Sequence, residues 1–410
     1  MIEDDKDWNF EIEATMMDAG TYDDIKPLIQ LCKAGKLFEV QDWIQSGKPV
    51  NIQQPKKGGR KKTPLEIAID HGFHSLVQVL LEGGSILADD RFNALEQALF
   101  KKRLDIMMLL VEHGADVQSV DMLEVFDTWD PKIMDYFIEH GADVETSYPL
   151  AAAFCEKIRT ALGVFKRYKH RFPSFQEQAN IALRHHCKEG NLKWVSLMLW
   201  AGADPYAAGP DIDEIDFDPE DEEWMNALEY AAWYGHYDVF ELKQIKLDPN
   251  HPSADRLLGN ACFSKDARLL ALLLEKGFKP GDQADEGTGH IQRCLYGLES
   301  IWDRWDHSRW SNDRGPTRNL DSTRAREKMK MIHMLAQNGA KWHPKDKYEI
   351  QEARRSFLKM LPDYTVEFIW IMSEYKASTQ DDVKELIRTP SIKSILSEHQ
   401  STINNLIEKL

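Results

Sequence analysis

Apolar residues recur with helical spacing in residues 63–90, in two short runs separated by a glycine. The apolar positions of the two runs are Leu65, Ile67, Ala68, Ile69, Leu76, Val77, Val79, Leu80 and Leu81. Thr63 can cap the first helix through its hydroxyl, and Pro64 suits the first turn, where no backbone donor is needed. The pattern predicts a helical hairpin that turns at Gly72 and ends at Gly84. Because neither helix is long enough to be stable alone, the hairpin needs neighbours of its own kind.

The same framework of leucine and glycine recurs along the chain. Counted from Leu65, glycine follows at +7 and at +19. Complete or partial copies begin at Leu28, Leu65, Leu95, Leu123, Leu150, Leu183, Leu228 and Leu258. The copy from Leu123 is one residue short and reaches Gly141 at +18, and the copy from Leu150 has Lys169 at +19. A framework that recurs in this way is typical of a stacked solenoid.

Several segments resemble the ankyrin repeat, whose pattern is TPLHxAAxxGHxxVVxLLLxxGADxN. The segments are TPLEIAIDHGFHSLVQVLLEGG, VEHGADVQ, IEHGADVE, LWAGADPY and ALEYAAWYGHYDVF. The resemblance covers residues 25–280 well and the rest poorly. It implies an all-α solenoid of about nine or ten helix-turn-helix units with short β-turn fingers. It also implies a function in holding a protein partner.

The copies divide the chain into four parts. We expect residues 1–24, which are acidic, to be a leader or N-terminal cap, and residues 25–280 to be the repeats. Residues 281–345 are interpreted as a divergent repeat with an insertion at 303–323. Residues 346–410 are interpreted as an enlarged helical C-terminal cap, since terminal repeats must close the hydrophobic end of a stack. The last apolar positions of the cap offer an oligomer interface, namely Ile403, Leu406, Ile407 and Leu410.

The formal net charge of −17 narrows the choice of partners. It argues against nucleic-acid binding and against an anionic membrane, because like charges repel. It favours a basic protein partner, although a solvated acidic surface accounts for the charge equally well. We expect no signal peptide, because the start is acidic, and no apolar run approaches the length of a membrane span. The expected location is the cytoplasm.

The five cysteines fit a reducing compartment. Cys32, Cys187 and Cys262 occupy position +4 of their repeats, where ankyrin-like repeats place a small alanine, and Cys155 lies at +5. The three at +4 are interpreted as small core side chains, not as disulfides or metal ligands.

No catalytic motif is present, so we expect neither enzymatic activity nor a cofactor. HExxH, GxSxG, GxGxxG and the kinase motifs are all missing. His185 and His186 precede the core position Cys187 and have no second ligand pair that would complete a zinc site. His290 and Cys294 could share a helical face, but two ligands do not make a tetrahedral site. The sequence therefore predicts no metal site.

Two loops carry concentrated charge. Residues 54–62, QPKKGGRKK, are interpreted as a solvated finger loop or as a contact for an acidic partner or phosphate. Residues 204–223 hold ten acidic residues and no basic one. We expect them to form an extended surface loop that offers a docking strip to a basic partner. Calcium binding is the alternative, but Asp211 and Asp213 lack the spacing of an EF-hand loop.

Aromatic side chains at positions that the framework does not require are the candidate partner contacts. Positions +5 and +6 lie at the end of the first helix, on the inner face of ankyrin-like stacks. Together with the aromatic seventh copy and the insertion, they give the candidates Phe100, Trp129, Tyr230, Trp233, Tyr234, Phe263, Trp305, Arg309 and Trp310. Tryptophan and tyrosine commonly anchor interfaces. The alternatives are packing against a neighbouring loop and, for the insertion, a mini-core that covers the end of the stack.

The sequence thus predicts a scaffold or adaptor that binds a protein of unknown identity through its concave face and loops. One alternative is a regulatory, inhibitory or neutralising subunit that masks a basic site with residues 204–223. Another alternative is an enzyme or ligand sensor with a pocket near the insertion, within residues 289–345.

Overall fold

A computed structural model describes residues 18–52, 59–214, 224–264, 267–281, 289–296, 322–359 and 362–410. The chain divides into two compact units, Met1–Phe175 (unit 1) and Gln176–Leu410 (unit 2). Helices dominate both units, which confirms the predicted all-α class. Within the described ranges, none of the helices combines the length and the apolar character that crossing a membrane requires.

Unit 1 contains helices α1 to α10 and the short strands β1 to β4. Their bounds are β1 Asp18–Ala19, α1 Tyr22–Lys33, α2 Leu37–Gln45, β2 Asn51–Ile52, α3 Pro64–Asp70, α4 His74–Glu82, β3 Ala88–Asp89, β4 Phe92–Asn93, α5 Ala94–Phe100, α6 Leu104–Glu112, α7 Met122–Asp127, α8 Pro131–Glu139, α9 Pro149–Cys155 and α10 Ala161–Tyr168. A single 3₁₀ turn, Val117–Ser119, lies between α6 and α7. Strands β1 and β2 pair in parallel, and β3 and β4 form a small antiparallel finger.

Unit 2 begins within helix α11, and the regular elements among its described residues are all helices. The bounds are α11 Ser174–Glu189, α12 Leu192–Ala201, α13 Ala227–Tyr234, α14 Tyr237–Phe240, α15 Ala254–Ala261, α16 Arg268–Glu275, α17 over residues 290–296, α18 Ser322–Gln337, α19 Lys347–Lys359, α20 Pro362–Glu374, α21 Gln380–Leu386, α22 Pro390–Ile395 and α23 Gln400–Lys409. Two 3₁₀ turns, Ile212–Glu214 and Ser397–His399, complete the unit.

Within each unit the helices stack in two layers. In unit 1, α3 packs between α1 and α5, and α4 packs between α2 and α6. Helices α7 and α8 pack in the same way on α9 and α10. In unit 2, α13 packs on α15, while α12, α14, α16, α18 and α20 follow one another in the other layer. Each hairpin thus buries its apolar side against its neighbours, as the isolated hairpin requires.

Helix α3 shows how the sequence specifies one hairpin. The Thr63 hydroxyl accepts the backbone N–H of Glu66 at 3.1 Å, and Pro64 occupies the first turn. Both features confirm the predicted start of the helix. The predicted apolar positions of α3 are buried, at 1% exposure for Leu65 and 0% for Ile69.

The framework glycines lie at two left-handed backbone positions, which explains their spacing. Gly72, at +7, follows the first helix with a φ of 69°, and Gly84, at +19, follows the second with a φ of 84°. Glycine is favoured at both because an L side chain is strained there. Where the glycine at +7 is missing, Lys102 and Lys157 keep the left-handed backbone, with φ of 53° and 68°.

The cysteines at +4 are core residues, as predicted. Cys32, Cys187 and Cys262 are each 0% exposed, and no disulfide joins any of the five cysteines. Burial raises the pKa of the Cys32 thiol to about 12. Cys155, at +5, is half-buried. The three buried side chains behave as small apolar residues of the core.

Residues 346–410 contain helices α19 to α23, in agreement with the helical character predicted for this part of the chain. The oligomer interface expected at its last apolar positions is corrected by the structure. Ile403, Leu406 and Ile407 are 0%, 8% and 6% exposed, because α23 packs on α20 and α21. These side chains therefore stabilise their own unit. The proposed boundaries at residues 24, 280 and 345 stay predictions.

Candidate partner-binding surfaces

A groove in unit 1 lies beside helix α5. It consists of two adjoining cavities of about 680 and 470 Å³ that share Glu96, Phe100 and Glu124. We call it the acidic groove, because carboxylates outnumber cations among the residues that line it. The carboxylates are Glu66, Asp89, Asp90, Glu96, Glu124, Asp127 and Glu156, and the cations are Arg60, Arg91 and Lys102.

Three carboxylates of the acidic groove come from one position of the repeat. Glu66, Glu96 and Glu124 each follow a framework leucine directly, in three successive copies. Glu66 is neutralised by Arg60, whose Nη1 lies 2.5 Å from the Glu66 Oε2. Burial raises the pKa of Glu124, and repulsion from Glu96 adds to the rise. Two like charges therefore meet where the two cavities join.

Phe100 stands at the same junction. It is the last residue of α5, and its side chain is 81% exposed, the highest fraction among the large apolar side chains in the described residues. Beside it, the Lys101 ammonium lies 3.2 Å from Asp70. Asp70 also accepts a hydrogen bond of 2.6 Å from Gln97 of α5. The acidic groove thus displays an aromatic side chain on a helix end that is held in place.

Trp129 lies one repeat further along, and its side chain is 46% exposed. It follows helix α7, which has six residues where α3 has seven. The copy from Leu123 is one residue short because α7 is one residue shorter than α3. Trp129 therefore occupies the turn between two helices, with a φ of 60°, and not the end of the first helix. Its contact with a partner stays a prediction.

In unit 2 the structure separates the aromatic side chains of the seventh copy. Tyr234 is 41% exposed, while Trp233 and Phe263 are half-buried with their ring centroids 4.5 Å apart. Tyr230 is only 3% exposed, and its hydroxyl donates to Glu214 at 2.6 Å. The predicted partner contact of Tyr230 is therefore wrong, because its side of α13 packs inside the unit.

Trp233 and Phe263 line a cavity of about 330 Å³, which we call the aromatic pocket. The other residues that line it are Met225, Arg256, Asn260, Arg293 and Tyr296. Arg293 and Tyr296 belong to α17, within the part of the chain where the sequence-based alternative expects a ligand pocket.

The described part of the acidic loop, residues 204–214, is anchored inside unit 2. Arg184 is 0% exposed and donates to the carbonyl oxygens of Ala207 and Pro210 at 3.0 and 2.8 Å. Gly209 leaves room for this side chain, since a Cβ there would lie 2.7 Å from the Arg184 Nη2. The prediction of an extended loop that offers a docking strip is therefore wrong for residues 204–214.

Asp211 of the same loop contacts two side chains of α11, those of His185 and Lys188. The His185 Nδ1 lies 3.3 Å from the Asp211 Oδ1, and one ligand atom each of His185, Asp211 and Asp213 lie within 4.8 Å of one another. The Lys188 ammonium, however, lies 2.5 Å from Asp211 and 3.5 Å from Asp213. The Lys188 ammonium thus compensates the charge of both carboxylates, as a bound metal ion would. We interpret the cluster as an internal charge network.

The remaining sequence candidates fall mostly outside the described residues. Trp305, Arg309 and Trp310 of the insertion lie there, as do residues 54–58 of the basic loop and residues 215–223 of the acidic loop. At the described end of the basic loop, Arg60 pairs with Glu66 and Lys62 pairs with Asp70 at 2.6 Å. These two bases contact carboxylates of their own unit.

Glu96, Glu124, Arg256 and Arg293 line the two surfaces but are absent from the sequence candidates. A signal for the glutamates exists in the sequence, because three successive copies carry glutamate after the framework leucine. Arg293 follows the last framework copy, so no repeat position marks it.

Comparison with known proteins finds similarity to ankyrin repeats. The family model described as ankyrin repeats (3 copies) matches residues 28–121. Among solved structures, the chain is similar to the ankyrin repeat domain of Bcl-3, a member of the IkappaB protein family, at 17% identity, with 61% of this chain and 90% of that one covered and a TM-score of 0.31. It is also similar to an ankyrin repeat domain from Acinetobacter baumannii, at 18% identity, with 53% and 96% covered and a TM-score of 0.29. No curated protein matches the chain.

Proposed function

We propose that this ankyrin-repeat chain is a protein-binding scaffold whose acidic groove holds a basic segment of its partner. Ankyrin repeats generally mediate protein–protein interaction and are typically not enzymes. The observation that carries the proposal is Phe100, 81% exposed at the junction of two cavities lined mainly by carboxylates. An exposed aromatic ring within a recessed, charged surface has the properties of an interface anchor.

The charges of the acidic groove favour a cationic segment. Burial is the main cause of the raised pKa of Glu124, and a lysine or arginine side chain between Glu96 and Glu124 would relieve the repulsion that adds to it. At a solvent-exposed site such a pair contributes roughly 1 kcal/mol at most, so the charges act mainly on the rate of association and on the choice of partner. Binding should therefore weaken as the salt concentration rises.

Phe100 supplies the apolar part of the contact. Full burial of its ring against a partner would contribute roughly 2 kcal/mol. A segment in which lysine or arginine flanks an apolar residue therefore fits the acidic groove. The partner of this description is a protein with a basic, partly apolar segment at its surface.

The test uses peptides that are selected from a random library on the full chain. We expect the selected peptides to combine lysine or arginine with an apolar residue. Phe100→Ala should weaken their binding by about tenfold or more, since central aromatic anchors commonly contribute more than 1 kcal/mol. A double change, Glu96→Gln with Glu124→Gln, should weaken binding and reduce its dependence on salt.

Phe38→Ala is the matched control. Phe38 lies in α2 of the same unit and is 76% exposed, but it does not line the acidic groove. Its loss should leave the affinities unchanged. Selection of acidic peptides, or an equal loss of binding in the Phe38 and Phe100 variants, would contradict the proposal.

A further inference from the structure

The aromatic pocket of unit 2 is built by successive repeats. Trp233 belongs to the end of α13 and Phe263 follows α15, and both stand five residues after their framework leucine. Their rings are tilted by 42° to each other. Tyr296 of α17 also lines the cavity. Three aromatic side chains thus face a space of about 330 Å³.

Two arginines line the aromatic pocket, and the fold positions both. Arg256 donates to the two carboxylate oxygens of Glu229 at 2.7 Å each and to the Trp224 carbonyl oxygen at 2.9 Å. Arg293 crosses α15 at Gly259, where a Cβ would lie 2.1 Å from its Nη1. A residue larger than glycine at position 259 would therefore displace the Arg293 guanidinium.

The residues that line the aromatic pocket differ in charge from those of the acidic groove. In the described part of the chain they include two arginines and no carboxylate, although Arg256 is paired with Glu229, which does not line the pocket. Asn260 and Tyr296 add groups that can donate hydrogen bonds. Burial raises the pKa of the Tyr296 hydroxyl to about 12, so it keeps its proton at neutral pH. The pocket therefore offers guanidinium groups and neutral donors to a ligand.

Size and shape narrow the class of ligand. Ligand pockets commonly measure about 300–1,000 Å³, so this one holds a group of the size of one or two side chains. Aromatic walls favour a flat ring, which they contact in offset or edge-to-face geometry. Guanidinium groups favour a carboxylate, which they bind through two parallel hydrogen bonds.

We propose that the aromatic pocket binds a peptide segment of a partner in which a glutamate adjoins an aromatic residue. The aromatic ring lies against Trp233 and Phe263, and the carboxylate faces Arg293. This second contact has the opposite charge preference to the acidic groove and does not rest on it. A partner with both a basic and an acidic–aromatic segment would engage the two units independently.

The test compares two short peptides that have nearly the same shape. One carries a negatively charged carboxylate where the other carries a neutral amide. The first is acetyl-Gly-Glu-Phe-Gly-amide, and the second has Gln in place of Glu. Their binding to the full chain labelled with 5-fluorotryptophan is followed by fluorine NMR, with the Trp233 signal assigned from Trp233→Phe. We expect the Glu peptide to shift this signal and the Gln peptide to bind about tenfold more weakly, as for the loss of one charge-assisted contact.

Variants of the chain then identify the arginine that causes the preference for the Glu peptide. Arg293→Gln should abolish the preference for Glu over Gln, and Gly259→Ala should reduce it while the number of charges stays the same. Arg388→Gln is the matched control, because Arg388 is an arginine of the same unit whose side chain is 75% exposed. It should leave the preference intact.

Equal affinity of the two peptides for the unmodified chain would overturn the proposal, whatever the variants do. A preference that survives in correctly folded Arg293→Gln would also overturn it. Thermal unfolding of each variant identifies those that remain folded. Phe100→Ala should bind the Glu peptide normally, so failure at the aromatic pocket and failure at the acidic groove can be told apart.

Discussion

Trp129 and Gly72 occupy the same position of the repeat with the same left-handed backbone, with φ of 60° and 69°. In both, the backbone N–H donates to the carbonyl oxygen three residues earlier, at 3.0 Å to Phe126 and at 2.9 Å to Ile69. The turn between the two helices therefore fixes the backbone, whichever residue stands in it. A residue with a side chain is strained there by about 1 kcal/mol.

Lys157→Gly should stabilise the protein by roughly 0.5–1 kcal/mol. Lys157 is exposed and stands at the same turn position with a φ of 68°, so glycine removes strain and little else. The free energy of unfolding in urea measures the gain. Lys166→Gly, in the exposed part of helix α10, should instead destabilise by about 1 kcal/mol, because glycine is a poor helix former. A loss of stability in both variants would contradict the argument.

The turn explains why the fold could be predicted from the sequence. Only glycine adopts the left-handed backbone without strain, so Gly72 and Gly84 mark the ends of the helices in the sequence itself. Lys102 and Lys157 adopt the same backbone but carry no such mark, and the repeats that contain them look degenerate. The short α7 was visible only as a spacing of +18, since the sequence does not say which element lost the residue.

Gly209→Ala should destabilise the protein by about 1–3 kcal/mol, because a Cβ there would lie 2.7 Å from the Arg184 Nη2. Arg184 cannot easily move aside, since it is 0% exposed and also pairs with Glu177 at 2.5 Å. Gly163→Ala is the contrasting variant. Its Cβ would meet nothing closer than 3.5 Å in helix α10, so it should stabilise by about 0.5–1 kcal/mol. Urea unfolding of both variants measures the difference in sign.

Asp211→Asn should destabilise the protein by about 1–3 kcal/mol at neutral pH and progressively less in acid. Burial alone would raise the pKa of Asp211, but hydrogen bonds from His185 and Lys188 outweigh it and lower the pKa. A carboxyl with a lowered folded pKa stabilises the protein above its ordinary pKa of about 4, and this stabilisation is lost as the pH falls through the lowered value. The difference between the unmodified chain and the variant should therefore shrink below about pH 4.

Urea unfolding at several pH values between 7 and 3 measures that difference for Asp211→Asn. Asp213→Asn is the control, because the Asp213 side chain is 70% exposed and its pair with Lys188 is screened by water. It should change the stability by less than about 0.5 kcal/mol. A difference for Asp211→Asn that is the same at pH 7 and pH 3 would exclude the ionised carboxylate as its source.

The two candidate surfaces were less predictable than the fold. The column of Glu66, Glu96 and Glu124 was present in the sequence, but which carboxylates remain unneutralised depends on Arg60, which comes from a loop. Asp211 looked like a surface charge in an acidic loop, and its burial results from contacts with α11 that lie more than twenty residues away in the sequence. The periodic pattern of apolar residues does not predict contacts between residues so far apart in the sequence.

One thiol of the native protein should react rapidly with Ellman's reagent. Cys155 is half-buried, while Cys32, Cys187, Cys262 and Cys294 are buried and protected from the reagent. Cys155→Ser should remove the rapid reaction, and all five thiols should react in concentrated guanidinium chloride. Rapid reaction of a second thiol in the folded Cys155→Ser variant would show that a buried cysteine is accessible.

Trp129→Gly should separate binding from stability. Glycine relieves the left-handed strain at φ 60° but also removes a ring that is 46% exposed, so the free energy of unfolding should change by less than about 1 kcal/mol. Thr128, its neighbour, lines the acidic groove, and we therefore expect the basic peptides selected on the chain to lose about fivefold or more in affinity. Fluorescence anisotropy of a labelled peptide measures the loss. Lys157→Gly makes the same kind of change at the same turn position without removing an aromatic ring. It should not weaken binding, because it removes a cation next to Glu156 of the acidic groove. If both variants bind like the unmodified chain, Trp129 is not a partner contact, and the reason for an aromatic residue in a strained turn must lie in packing.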